Sequence, residues 1–168
     1  MSSINSLKEL LVDELKDLHS AETQLTKALP KMAKAATNPT LKQGFTDHLE
    51  QTRGHLDRLV QALDILGEKP GGKTCKAMKG LVEEGSEAIE EDAPPAIKDA
   101  NLIGAAQRVE HYEMAAYGTS RSFAEALGEG DVVDLLTATY DEEVATDKKL
   151  TTVSKKVNKD ALVSVSED

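Results

Sequence analysis

The chain has 168 residues, enough to bury a real core as one domain. Aromatic residues make up 3%, Trp is absent, and Ala, Leu, Lys and Glu dominate, which disfavours an all-β fold. With 20 Lys and Arg against 30 Asp and Glu, the net charge of −10 disfavours a nucleic-acid partner, and no run of apolar residues is long enough to span a membrane.

Ser6 followed by Glu9 reads as a capping box. From there Leu7, Leu11, Leu15, Leu18, Leu25 and Leu29 share one helical face, predicting a first helix over about 6–36, with Pro30 as a bend or an early end. Thr37-Asn38-Pro39 breaks the chain. Phe45, Leu49, Leu56, Leu59, Leu63 and Leu66 then define a second helix over 39–66. Residues 67–95 read as a connector with one short helix around Met78, Leu81, Val82 and Ile89. A third long helix is expected over 96–127, closed by Gly128 and Gly130. Asp131 is the expected N-cap of a fourth over 131–157, followed by a frayed tail at 158–168. Short links within each helix pair and a long one between the pairs predict an all-α four-helix bundle with a single crossover, the third helix starting near the beginning of the second.

At 100° per residue, five carboxylates fall on the apolar stripes rather than opposite them. These are Glu22 on the first helix, Glu110 and Glu113 on the third, and Glu143 and Asp147 on the fourth, each near the middle of its helix. Arg53, Arg108, Arg121, Lys148 and Lys149 lie off the stripes, so no cation is offered at that level. Crowded buried carboxylates without cations point to bound metal, and oxygen-rich ligation suits iron or manganese. On the second helix the inward polar residues are His48, Thr52 and His55. Both histidines are candidate ligands, whereas Glu50 projects away from the stripe. His19 and His111 read as exposed, and Tyr117 and Tyr140 as facing inward near the site. Cys75 has no second cysteine with which to form an internal disulfide. Together with an N-terminus that is neither basic nor continuously apolar, this points to a reduced, cytoplasmic protein.

Glu110-x-x-Glu113 followed by Glu143 resembles the second half of a ferritin-like di-iron protein of the rubrerythrin type. The strings DLHSAETQLTKALPK, HLEQTRGH, the stretch from Cys75 to Glu84 and AAQRVEHYEMAAYGT resemble the bacterial YciE/YciF stress-protein family over about 6–158. The resemblance implies a cytoplasmic ferritin-like bundle, a homodimer associated with stress, while the inward carboxylates without cations predict about two iron or manganese ions per chain. It gives Glu22 the first-helix ligand role, Glu110 and Glu113 the third-helix pair, Glu143 the bridging role, and His55 the second-helix histidine. Thr52 and Thr146 stand where the family pattern expects ligands, with Asp147 one position beyond as a substitute, so the number of ions stays open at one or two. Reaction with peroxide or oxygen, using an external electron-donor protein because no Cys-x-x-Cys is present, stands beside a non-catalytic structural or interaction role.

Overall fold

The computed structural model describes residues 4–163. Five helices make up its regular structure: α1 (Leu7–Ala35), α2 (Pro39–Ile65), α3 (Lys76–Glu90), α4 (Pro95–Leu127) and α5 (Gly130–Val163). The local chemistry at the ends explains the boundaries. Ser6 Oγ accepts the Glu9 N–H at 3.1 Å, and Asn38 Oδ1 accepts the N–H groups of Thr40 and Leu41 ahead of Pro39 at N1. Gly128, at φ 74°, ends α4 in the left-handed region, where its lack of a Cβ removes the steric cost.

Three local expectations change. The first helix does not end at Pro30; it continues to Ala35, with the proline on the exposed face. The last helix begins at Gly130, placing Asp131 within its first turn, where a negative charge favours the helix N-terminus. That helix also runs on to Val163 instead of fraying after 157, because Val157 and Ala161 are buried. Residues 164–168 of the expected tail lie outside the described residues.

The four long helices form a ring in the order α1, α2, α5, α4, with α3 packed across α1 and α4. Antiparallel neighbours follow from the short links 36–38 and 128–129. The connector carries the chain back along the bundle so that α4 starts beside the start of α2. Asp99, on the first turns of α4 and 2% exposed, fixes this return. Its carboxylate accepts the Thr37 N–H at 2.8 Å, the Thr37 hydroxyl at 2.5 Å and the Asn38 N–H at 2.8 Å. The arrangement is the single-crossover, ferritin-like bundle.

The core divides into two apolar clusters. One holds Leu11, Leu15, Leu18, Leu59, Leu63, Val132 and Leu136; the other holds Leu25, Leu29, Met32, Leu41, Phe45, Leu102 and Leu150. Between them, at the middle of every long helix, lies a layer of buried polar side chains.

Cys75 belongs to the connector's anchoring. Its thiol accepts the Met78 N–H at the start of α3 and sits 2.9 Å from the Tyr112 hydroxyl, which donates to Asp17. Burial, reinforced by Asp17, pushes the thiol pKa up, so the residue stays protonated and structural.

Candidate metal centre

The polar layer is built from one or two residues of each long helix. Glu22 on α1, His48 and His55 on α2, Glu110 and Glu113 on α4 and Glu143 on α5 are each 3% exposed or less. Seven residues separate the two α2 histidines, two turns on one face, so they reach the layer at different heights with ring centres 6.1 Å apart. Two ligand groups result. His48, Glu110, Glu113 and Glu143 present donor atoms within 4.8 Å of one another, and so do Glu22, His55 and Glu143. Glu143 belongs to both.

The distances show which atoms converge. His48 Nε2 lies 3.3 Å from Glu110 Oε1 and 3.6 Å from Glu143 Oε2. His55 Nδ1 lies 3.2 Å from Glu22 Oε1 and 3.0 Å from Glu143 Oε1. Tyr117, fully buried beneath the layer, donates its hydroxyl to Glu22 Oε1 at 2.5 Å. Even so, both oxygens of Glu113, both of Glu143 and one each of Glu22 and Glu110 have no hydrogen-bond donor, and neither do His48 Nε2 and His55 Nδ1 have a hydrogen-bond partner. Buried acceptors without donors cost free energy, and a cluster of this composition could hold a metal ion.

The electrostatics carry the same strain. Burial, with the charges of Glu143, Glu22 and Glu110, holds the Glu113 pKa well above the ordinary carboxylate value. Burial raises Glu143 to about 8 and Glu110 to about 7, in each case against a favourable neighbouring contact that only partly offsets it. Burial alone would lower His55, but the carboxylates of Glu143 and Glu22 beside Nδ1 outweigh it and push the imidazole up to about 10. Without metal, the layer therefore favours holding protons.

A supporting shell surrounds it. His55 Nε2 lies 2.8 Å from Glu142 Oε2, and Glu142 is gripped in turn by both terminal nitrogens of Arg58 at 2.8 and 2.9 Å. Arg58 holds the Glu142 carboxyl below its ordinary pKa, so it stays an acceptor, and with His55 Nε2–H donating to it, Nδ1 is aimed inward as a ligand atom. Sequence reasoning missed Glu142 and Arg58. Arg58 stands three residues after His55, but nothing in periodicity says that α5 brings Glu142 opposite.

Of the seven residues singled out from the sequence, six converge and Asp147 does not. One position beyond Thr146, it is rotated out of the layer and is half-buried, accepting from Gln107 Nε2 at 3.0 Å and lying 3.3 Å from the exposed His111 ring. Thr146 instead donates to the Glu142 carbonyl of its own helix and lies 3.4 Å from His48 Nδ1. The small threonine leaves room for the His48 ring, which fills from α2 the position that α5 leaves open. Thr52 is buried and its hydroxyl has no partner. Glu50 is exposed and paired with Arg53. Tyr140, expected near the site, is only half-buried and packs under the Arg121 guanidinium, 4.7 Å from its ring centre, because its position on α5 turns toward the α4 surface at Gly118. No helix among the described residues is long and apolar enough to cross a membrane.

Comparison with known proteins places this geometry in context. The family model described as a domain of unknown function, DUF892, matches residues 6–162. Protein YciF of Escherichia coli K12 is 44% identical over 161 residues, covering 95% of this chain and 97% of its own length. The crystal structure of the E. coli stress protein YciF superposes with a TM-score of 0.90 at 42% identity, covering 93% of this chain and 99% of that one. YcfI of Rhodopseudomonas palustris, to which a structural role has been ascribed, gives 0.87 at 46% identity over 89% of this chain and 96% of that one. A Dps protein from Bacillus brevis shares the fold, with a TM-score of 0.69 at 16% identity over 90% of this chain and 99% of that one.

Proposed function

The chain belongs to the DUF892 family and is a YciF-like, ferritin-like bundle, and from that premise we propose that it is a di-metal carboxylate protein of the stress response, holding two iron or manganese ions. The observation that carries this reading is Glu113: fully buried at the centre of the layer, both oxygens without a donor, facing three further buried carboxylates. The donor set fits. Four carboxylates balance two divalent ions, and carboxylate with imidazole suits iron and manganese. His48, Glu110, Glu113 and Glu143 would hold one ion, and Glu22, His55 and Glu143 the other. Two ions rather than one is favoured because His48 supplies the nitrogen that Thr146 does not.

Bound iron or manganese supplies redox chemistry toward peroxide or oxygen. The chain's own residues prepare for it. Glu142 keeps His55 Nε2 protonated and its Nδ1 directed inward; the Tyr117 hydroxyl holds one Glu22 oxygen; the two apolar clusters flank the layer on either side. The reading assigns the supply of electrons to a separate donor protein. A cytoplasmic homodimer completes the reading. The structural role ascribed to YcfI favours a second one, in which the ions only stabilise the bundle.

Elemental analysis of protein reconstituted with iron or manganese tests the centre. The expected result is about two ions per chain, falling to near zero in Glu113→Ala and unchanged in Glu50→Ala. Equal loss in both variants, or no metal in the parent protein, refutes it. Peroxide consumption by the loaded protein with an added reductant separates the catalytic from the structural reading.

A further inference from the structure

A cavity of about 670 Å³ lies in the half of the bundle formed by the end of α1, the start of α2, the start of α4 and the end of α5, with α3 contributing one wall. Cavities of this size, roughly 300–1,000 Å³, are those that enclose whole small molecules. Its walls are mainly aliphatic and aromatic: Leu29, Met32, Phe45, Val109, Leu150 and Val153. Three polar groups of the metal centre and its surround, His48, Glu110 and Thr146, also line it, so the space reaches from the surface to the edge of the carboxylate layer. Its exposed lining residues include Lys27 and Lys31 on α1 and Lys148 and Lys149 on α5, against the single acid Asp47. On a chain of net charge −10, an excess of three positive charges among the exposed lining residues runs against the prevailing field.

We propose that this cavity binds a free single-chain fatty acid, its tail lying along the apolar walls toward His48 and Glu110 and its carboxylate held by the lysines at the rim. Walls drawn from all five helices admit a flexible apolar chain, and the lysines among the exposed lining residues favour one that ends in an anion. A neutral small molecule would make no use of the lysines, and an anion without a tail would leave the apolar walls wet. The site requires no metal for binding, so it stands or falls separately from the di-metal reading. It adds to that reading a class of organic molecule positioned beside the centre.

Displacement of the fluorescent probe 11-(dansylamino)undecanoic acid from delipidated apoprotein tests the proposal. Palmitate is expected to displace it with one equivalent per chain, while acetate is inert and hexadecanol binds at least about tenfold more weakly, the worth of about 1.4 kcal/mol from the lysines. Ala106→Phe, which fills the cavity from α4, is expected to weaken palmitate binding about tenfold or more while metal content after reconstitution stays at the parent level. Should that variant fail to fold, the surface pair Lys27→Glu with Lys148→Glu decides: it is expected to weaken palmitate and leave hexadecanol unchanged. Equal affinity for palmitate and hexadecanol, undiminished probe binding in folded Ala106→Phe, or binding only to anionic phosphatidylglycerol vesicles overturns the proposal. So does a change of sedimentation in Ala106→Phe without loss of probe binding, which would make the cavity a contact between copies.

Discussion

Asp99 and Glu113 are both carboxylates on α4 and both buried, at 2% and 0% exposure, yet they sit in opposite surroundings. Asp99 meets three donors, the Thr37 N–H and hydroxyl and the Asn38 N–H, and these tie the start of α4 to the link before α2. Glu113 meets none and faces Glu22, Glu110 and Glu143 instead. A buried acid whose oxygens are all answered by the protein is a structural joint. One whose oxygens face other acids ties nothing together, and is the kind of group that the proposed metal centre uses. Burial alone does not separate the two; the inventory of donors does.

The largest expected effect that tests this contrast is Asp99→Ala. It leaves two backbone N–H groups at the entry to α2 without their acceptor, and we expect a loss of about 3 kcal/mol, which for a chain of this size lowers Tm by roughly 6–12 °C, with metal content unchanged. A Tm within about a degree of the parent's would remove the structural half of the comparison.

The next effect is the apoprotein's response to pH. Glu110 and Glu143 have folded-state pKa values of about 7 and about 8 against an ordinary 4.5, so the folded form binds their protons more tightly than the unfolded chain does. That contribution is fully present below pH 4.5 and is lost as pH rises through the folded values. His55, raised from 6.5 to about 10, acts with the same sign: its contribution is complete below 6.5 and disappears as pH rises through about 10. The apoprotein should therefore lose stability, and with it Tm, between about pH 6 and 9, while the metal-loaded protein gains over the same range because acid competes with the ions. Parallel melting curves for the two forms would show that these acids do not share a site.

Glu142→Gln sharpens the comparison from the supporting shell. The amide still fills the space between His55 and Arg58 but no longer carries the charge that fixes the imidazole, and we expect metal affinity to fall about tenfold, at the low end for outer-shell partners. Unchanged affinity by competitive titration would mean that His55 needs no such partner.

The smallest effect is also the most diagnostic in sign. Glu113→Gln conserves volume and puts a neutral amide in place of an acid that the folded apoprotein must either keep protonated or bury as a charge, so the apoprotein should gain about 1 kcal/mol in denaturant unfolding at pH 8, while losing metal. Destabilisation as large as that of Asp99→Ala would make Glu113 a structural acid after all.

Much of this was legible in the sequence. The leucine stripes, the breaker Thr37-Asn38-Pro39 and the long connector determine four long helices and a crossover, because a 3.6-residue period and the length of a link are local properties. The same period places Glu22, Glu110, Glu113 and Glu143 on the faces that must be buried, and two histidines seven residues apart on the face of α2. What a helical wheel cannot give is the register between helices. It puts Asp147 about 40° from its stripe, close enough to look like a ligand, but only the packing of α4 against α5 turns it onto Gln107 and His111. Only packing brings Glu142 to His55 and Arg58, sets His48 into the space beside Thr146, and surrounds Asp99 with donors from a link some 60 residues away. Distances between side chains on different helices depend on how whole helices slide and rotate against one another, a variable that no single helix's sequence contains.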